Sequence, residues 1–511
     1  MSNNRLLSLA TVSSMTFASR ILGFVRDTCI AHFFGAGTNT DAFVVAFRLP
    51  NLLRRIFAEG AFSQAFVPLL SQTNNRSPTE TKNFVNGVFT LILITTALVT
   101  AIGLSVADPI IRVSAPGFVG KPSFYLSVNL LKITFPYIIC ISLVTLSAAI
   151  LNINGKFAIS AITPAILNIA MIVAIFVSQQ YLKDRITYLA WGVLIGGIIQ
   201  CLVQIYPLKK INLLPKWNTS FKQPMIKKLI TQIGPAILGV SVIQLSLLLN
   251  TFFASFLPTG SISWIYYADR LMEFPTGLLG AAMVTVLLPE MSAAHANKDT
   301  NLYTNTIDWG LKITLLLAIP ASVAIVSIGY DIIVCLFGYG QFGAKSAIET
   351  HRALVGYAIG LVPMIAVKVL APAFYAKQDI KTPAKIAVLV LIITQTGNLL
   401  LTGYLQQMGL TLSISLGATF NAILLFHKLK KHGIYAPKPG WSKLITKIII
   451  GSAIMLAFLK AVEPQSEQWF HWSSARRLLT ISLICAGGCA VYLASLHMIG
   501  INIKKLIKNE H

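Results

Sequence analysis

Arg20, Arg26, Arg48, Arg54 and Arg55 stand inside the first two apolar segments of a 511-residue chain, and Arg270 stands inside a later one. An arginine at a bilayer centre costs about 2.5–3.5 kcal/mol on insertion scales, so each must face a partner or a water-filled cavity. The guanidinium is a planar fork that donates two parallel bonds to a phosphate or carboxylate and never gives up its proton. Ion pairing can absorb some of these charges, because Arg26 adjoins Asp27, Arg55 has Glu59 one turn on and Arg270 has Glu273 three residues on. For the set the count goes the other way. The first two segments hold five arginines against Asp27 and Glu59 inside and Asp41 at the edge. Positive charge is left over, and it suits an anionic cargo with a phosphate or diphosphate head group.

The elements that must position these residues are membrane helices. With 55% hydrophobic and only 11% charged residues, the chain is more apolar than a soluble core requires. A window of about 20 residues, the helix length that crosses the hydrocarbon layer, places fourteen spans. They lie near 8–31, 41–70, 84–107, 124–152, 159–179, 187–206, 227–257, 263–289, 305–329, 348–376, 384–404, 408–429, 442–461 and 476–500. Helical spacing then sorts the polar residues into stripes. Ser13, Thr16, Arg20, Gly23 and Asp27 share one face of the first span. Arg26 lies about 120° from that face and joins it only if Gly23 allows a bend. Asp41, Arg48, Asn51, Arg55, Glu59 and Ser63 share a face of the second span, which Pro50 interrupts. In the eighth, Ser263, Tyr266, Arg270, Glu273 and Gly277 line up, with Asp269 one turn from Glu273. Three such stripes describe the wall of one aqueous cavity, to which Lys132 and Lys368 lie deep enough to contribute. Lys312, Arg352, Arg476 and Arg477 sit nearer span ends, where long stems snorkel. Gln395, Asn398 and Thr402 form a stripe in span eleven, read first as hydrogen bonding between helices and second as a coupling-ion site.

A net charge of +24 raises the question of nucleic acid, but its distribution answers it. With the amino terminus in the cytoplasm, and lysines at span ends counted with the adjoining loop, 23 Lys/Arg are cytoplasmic, six periplasmic and twelve within spans. That asymmetry is the positive-inside rule, so the basic loops read as topology signals on anionic lipid, with no nucleic-acid partner. An even number of spans returns the carboxyl terminus, with Lys504, Lys505 and Lys508, to the cytoplasm. The first apolar stretch carries Arg20 and Arg26 and no small-residue cleavage site, so it reads as a retained span. Cys29, Cys140, Cys201, Cys335, Cys485 and Cys489 fall in or beside spans without metal-ligand spacing and read as small apolar residues. There is no Walker lysine loop, nucleotide fingerprint or catalytic triad pattern. The chain reads as a transporter, not an enzyme, with no cofactor, no metal and no direct use of ATP.

The chain also repeats itself. Ala46-Phe47-Arg48-Leu49, ending at Pro68-Leu69-Leu70-Ser71, recurs as Ala268-Asp269-Arg270-Leu271, ending at Pro289-Glu290-Met291-Ser292, at an offset of about 222 residues with one gap. Thr163-Pro164-Ala165 recurs as Thr382-Pro383-Ala384. The expected fold is therefore an all-α integral membrane protein of about fourteen transmembrane helices. Two parallel-repeat six-helix halves, 1–208 and 225–431, surround a central cavity, a cytoplasmic linker covers 209–224, and 432–511 adds two helices and a basic tail. Parallel repeats of this kind hold substrate between the halves and rock for alternating access.

Three stretches carry a family resemblance. Arg20-Ile-Leu-Gly-Phe-Val-Arg26-Asp27, the run from Pro50 to Pro68 and Trp264-Ile-Tyr-Tyr-Ala-Asp-Arg-Leu-Met-Glu-Phe-Pro275 resemble the MurJ/MviN lipid II flippases of bacteria, and Gly234–Ser241 and Gln378–Pro383 add to the likeness. The resemblance implies a member of the MOP exporter superfamily in the bacterial cytoplasmic (inner) membrane. It would carry lipid II, the undecaprenyl-diphosphate-linked disaccharide-pentapeptide, to the periplasmic leaflet for peptidoglycan synthesis. It further implies that Arg20, Arg26, Arg54 and Arg270 contact the diphosphate, and that Asp41, Glu59, Asp269 and Glu273 belong to the cavity or its gates. Arg48, Arg55 and Lys368 are placed with the cavity on their position alone. Spans thirteen and fourteen would hold the polyprenyl tail, with membrane lipids and the cell-wall synthesis machinery as further partners.

The expected motion keeps the tail in lipid while the head enters the basic cavity, and uncharged turns at 35–40 and 258–263 provide outward closure. An inside-negative potential would favour outward movement of a net anion, at about 2.3 kcal/mol per charge per 100 mV. Coupling to Na+ or H+ stays open. A flippase for another polyprenyl-diphosphate oligosaccharide fits the charges equally well. A multidrug or cation antiporter, which needs intramembrane carboxylates in excess, fits them poorly, and a non-transporting scaffold leaves the polar stripes without a use.

Overall fold

No water satisfies backbone amides in hydrocarbon, so a chain this apolar must close its hydrogen bonds within helices. The computed structural model describes residues 2–55, 61–74, 77–181, 184–219 and 223–501, and among them every regular element is helical. Contacts divide the chain into two units, Met1–Ile262 and Ser263–His511.

The first unit holds α1 (Ser2–Phe34), α2 (Thr38–Arg54), α3 (Ala61–Asn74), α4 (Pro78–Ser105), α5 (Ala107–Ser114), α6 (Pro122–Thr134), α7 (Tyr137–Ile153), α8 (Phe157–Ser178), α9 (Arg185–Lys210) and α10 (Pro224–Ser255). Here α8 packs between α1 and α9, and α2 packs on α6. Phe62, Phe66 and Phe84 stack in sequence, with ring centroids 4.9 and 5.6 Å apart, and fill the core where α3 meets α4.

The second unit holds α11 (Ser261–Ala296), α12 (Thr300–Phe337), α13 (Ala344–Ala358), α14 (Leu361–Tyr375), α15 (Lys381–Leu405), α16 (Gln407–Lys431), α17 (Trp441–Val462), α18 (Gln468–His471) and α19 (Ser474–Met498). Its hub is α12, which touches α13, α14, α17 and α19. Tyr267 closes one end of this core against Phe337 and Phe342, with ring centroids at 5.1 and 5.3 Å.

Helix boundaries carry the internal duplication further than residue identities do. Ser2 and Pro224, Pro78 and Thr300, Pro122 and Ala344, and Arg185 and Gln407 each open a helix, and the members of each pair are 222 residues apart. The fourth span of each half is broken at the corresponding place. Pro136, which has no N–H to donate, separates α6 from α7, and α13 meets α14 at a 40° bend beside Gly360.

Among the described residues ten helices are long and apolar enough to cross a membrane, or eleven with the bent pair counted as one span. The expected fourteen are therefore not reached on length and composition alone. The three further expected positions fall on α1, on the α2–α3 pair and on α10. The first two carry the arginines, which lower their hydropathy for the reason that makes them informative.

Gly360 permits the α13–α14 bend because a Cβ there would lie 2.7 Å from the Cα of Ser415 on α16. Gly403, on α15, has nothing within 4 Å of the same position. Gly360→Ala should therefore lower the thermal unfolding midpoint of the detergent-purified protein by overpacking worth about 1–3 kcal/mol. Gly403→Ala should leave that midpoint unchanged or slightly higher. Equal midpoints for the two variants would show that the bend does not depend on that contact.

Candidate functional site

Each basic residue can be traced to the element that positions it. α1 runs as one helix from Ser2 to Phe34 with no break at Gly23, and Arg26, which is buried, does not share the exposure of Arg20. Arg26 faces α8 instead. Its Nε and Nη2 donate to Asp27 Oδ1 at 2.9 and 2.7 Å, and its Nη1 donates to Asn168 Oδ1 at 2.8 Å. The Asn168 amide in turn donates to the Ser19 carbonyl at 3.2 Å. Arg26 and Asp27 are 7% and 1% exposed, so the pair is a buried tie between α1 and α8. Arg20, two turns earlier, is exposed.

On α2, Arg48 is half-buried and donates through Nη1 to the hydroxyl of Thr251 on α10. Arg54 donates through Nε to Asn51 Oδ1 at 2.9 Å, which holds its guanidinium along the helix beyond Pro50. Arg55 follows, also half-buried. Glu59 lies outside the described residues, as do the tail lysines Lys504, Lys505 and Lys508.

Asp41, at 2% exposure, sits in the first turn of α2 and accepts the Gly260 N–H at 2.6 Å. Gly260 has φ +101°, the left-handed region open to glycine, so the turn after α10 can present that amide to the carboxylate. Nearby, the Gly117 N–H donates to Ser255 Oγ at 3.0 Å. These two contacts clasp the carboxyl-terminal end of α10.

In the second unit, Arg270 is one-third exposed and donates through Nη1 to Glu273 Oε2 at 2.7 Å, while its guanidinium lies 5.1 Å from the centre of the Tyr266 ring. Asp269 beside it is half-buried. Lys368, on α14, reaches α11 and donates to the Thr276 carbonyl at 2.9 Å. Its stem lies across Gly280, where any Cβ would collide with it. The fold thus brings Lys368 onto the same helix as Arg270. Lys132 is exposed.

Several residues invisible to a charge count hold this arrangement. Asn168, Thr251 and Gly260 are partners of Arg26, Arg48 and Asp41. Asn168 had a legible signal, being an amide within the apolar α8. The other two are settled by where the chain returns. Two residues read as snorkelling do otherwise. Lys312 pairs with Asp308 at 2.7 Å, and the same carboxylate accepts Tyr435 OH and Trp441 Nε1, both at 2.8 Å. Arg477 is 5% exposed and donates to the carbonyls of Val334, Gly338, Phe470 and Trp472. Carbonyl oxygens left over at helix ends absorb its charge. In α15, the Asn398 amide donates to Gln395 Oε1 at 3.0 Å, so that stripe bonds partly along its own helix. Asp379, in the turn before α15, has its carboxyl held below the usual carboxylate range by hydrogen bonds from Thr382. All six cysteines are free, and no cluster of metal-binding side chains occurs among the described residues.

The arrangement can bind anions through guanidinium groups carried on helices tied by buried polar contacts. Known proteins match along nearly the whole chain. The family model described as "Lipid II flippase MurJ" matches residues 30–480. "Lipid II flippase MurJ" of Burkholderia cenocepacia is 43% identical over 504 residues, which cover 97% of this chain and 96% of the relative. "Probable lipid II flippase MurJ" of Vibrio cholerae serotype O1 is 37% identical over 508 residues, 97% of this chain and 96% of the relative. A solved structure titled "Lipid II flippase MurJ, inward closed conformation" superposes with a TM-score of 0.80 at 28% identity, covering 95% of this chain and 97% of that one. An inward-facing multidrug resistance MATE transporter of the MOP superfamily superposes with a TM-score of 0.66 at 14% identity, over 83% of this chain and 98% of that one, a likeness of fold alone.

Removing one partner of a buried ion pair strands the other, at a cost of about 3–5 kcal/mol. Arg26→Ala should therefore sharply lower the unfolding midpoint of the purified protein, while Arg26→Gln with Asp27→Asn should recover part of the loss. A midpoint unchanged by Arg26→Ala would show that the pair does not tie α1 to α8.

Proposed function

The chain belongs to the lipid II flippase MurJ family, and on that premise we propose that it moves lipid II between membrane leaflets by alternating access, binding the diphosphate through its arginines. Membership rests on the match over residues 30–480 and on a curated relative 43% identical across nearly the full length of both chains. The protein is a multi-pass helical membrane protein of the MOP transporter fold, and lipid II is its substrate. The observation that carries the binding mode is the surplus of arginine in α1 and α2. Arg20 is exposed and Arg48, Arg54 and Arg55 are half-buried on helices flanked by apolar sequence.

In this reading Arg20, Arg54 and Arg270 contact phosphate oxygens, with Arg48, Arg55 and Lys368 adding positive potential. Arg26 serves the same face indirectly, since all three of its guanidinium nitrogens donate to Asp27 or Asn168. A diphosphate leaving water loses a tight hydration shell, and forked donors fixed beforehand replace it without reorganisation. Glu273 keeps Arg270 extended along α11 until a stronger anion competes for it. Asp41, holding the Gly260 amide, is the gate element at the end of α10, and Asp269 and Glu59 belong with it as acidic counterparts in the cavity. The repeated halves, 1–208 and 225–431, are taken as the rocking bodies, and 432–511 as the segment that shelters the polyprenyl tail.

The proposal places the protein in the bacterial cytoplasmic membrane with both termini inside, in contact with membrane lipids and the cell-wall synthesis machinery. Transport needs no bound cofactor and no catalytic step. The membrane potential drives the anionic head outward, and Na+ or H+ is the candidate coupling ion.

The test uses cells depleted of their own flippase, in which lipid II exposed at the outer leaflet is measured. Arg20→Ala, Arg54→Ala and Arg270→Ala should each lower exposure about 10-fold or more at normal protein levels, as loss of a charged hydrogen bond worth about 1.5–3 kcal/mol implies. Lysine at the same positions should restore only part of it, because a point charge lacks the fork. Normal exposure in all three alanine variants would remove the arginines from the substrate site.

A further inference from the structure

Asp331 is a buried carboxyl that the flippase reading leaves unused. It lies on α12, six residues before the helix ends at Phe337, and is 0% exposed. Neither carboxylate oxygen has a hydrogen-bond partner among the described residues. Ser327, one turn earlier on the same face, is 6% exposed, and its hydroxyl likewise has none. The other buried carboxylates among the described residues are engaged. Asp27 receives two bonds from Arg26, Asp41 receives the Gly260 amide, and Asp308 receives Tyr435, Trp441 and Lys312. A carboxylate charge without donors is the least tolerable group in a low-dielectric interior, whereas the neutral acid is far cheaper to bury.

Charged groups approach Asp331 from one side. Lys460 on α17 donates to Glu463 at 2.6 Å and to the Ser327 carbonyl at 3.5 Å. The Lys460 ammonium thereby reaches the Ser327 turn of α12, one turn before Asp331. The side chains of Lys460 and Glu463 are 56% and 20% exposed, so the pair links the surface to the turn of α12 that precedes the buried acid. The remaining elements packed on α12 supply other groups. From α13, His351 rests on Tyr330, with ring centroids 6.4 Å apart, and its Nε2 is buried without a partner. From α19, Arg477 is spent on backbone carbonyls at the end of α12 and after it. From α14, Lys368 is turned to α11. α18 contributes His471, which is exposed, and α12 itself adds Tyr330 and the buried Cys335.

We infer that Asp331 is a reversible proton-binding site, filled from the water at the carboxyl-terminal end of α12 by way of the Lys460–Glu463 pair. A metal cation would need several oxygen ligands and would sit beside the ammonium of Lys460, which repels it. A proton needs one lone pair. Loading removes the buried negative charge and with it the pull on Lys460, so the contact between α12 and α17 differs in the two states. Acid on that side, periplasmic in the proposed topology, therefore biases the second unit. The site deepens the flippase reading by naming H+ as the ion that regulates it.

The full-length protein reconstituted in liposomes tests this by infrared difference spectroscopy across pH steps, in Na+ and in choline at equal ionic strength. The native protein should show the carbonyl band of a protonated carboxylic acid that disappears on alkalinisation, in both salts, and Asp331→Asn should lack it. Glu463→Gln should keep the band and move its midpoint to lower pH, because a negative neighbour has gone. This variant decides the matter if Asp331→Asn does not fold, since an unmoved midpoint overturns the route. Lipid II transfer in the same liposomes should vary several-fold with pH on that side and lose the dependence in Asp331→Asn. A band retained in Asp331→Asn, no such band in the native protein, or a band that Na+ abolishes would overturn the proposal. A native band together with no lipid II transfer at any pH would instead leave the proton site standing and defeat the flippase reading.

Discussion

The cost of a bare charge in hydrocarbon organises this molecule. The arginines described within the apolar helices either have partners placed against them or stand exposed. Arg26 shows the first solution, with three donors aimed at Asp27 and Asn168. Arg477 shows a variant in which backbone carbonyls take the place of a carboxylate. Arg20 shows the second, exposed on a helix whose later turns are buried. A flippase needs both. Engaged charges hold helices in register, and exposed charges are the ones that the proposed binding of the head group draws on.

The duplication gives that division a frame. Helices open 222 residues apart in both halves, and both fourth spans break at the matching place. The causes differ at the two breaks. In the first half Pro136 removes a backbone donor, and in the second Gly360 clears room for Ser415. Preservation of a bend by different residues indicates that the shape itself is what both halves use. The charges were not duplicated with equal fidelity. The α1–α2 region is rich in arginine, whereas α11 carries Arg270 with Asp269 and Glu273 close by.

Polar groups without a protein partner are informative for the same reason. Asp331 stands out because the other buried carboxylates named above are so thoroughly engaged. Its neighbours on α17 link it to the surface without completing its hydrogen bonding. A group of this kind is costly to retain, and reversible protonation is the chemistry that makes retaining it useful.

Sequence by itself determined the fold class, the duplication, the family and the sign of the cargo, because hydropathy, residue spacing and net charge are properties of the chain before it folds. Within the expected α1 stripe, Arg20 is exposed while Asp27 is buried with Arg26, a difference that local 3.6-residue periodicity does not record. Sequence left open whether Arg26 joins Arg20, because that depended on a bend at Gly23, and the continuous α1 packed on α8 decided it. Tertiary structure alone decided which charges are spent and which remain exposed. Asn168 lies 142 residues from Arg26, Thr251 lies 203 from Arg48 and Gly260 lies 219 from Asp41. Nothing in local spacing records such pairings. A hydrogen bond is satisfied only when packing brings donor and acceptor within about 3 Å, and helix packing is a property of the whole chain.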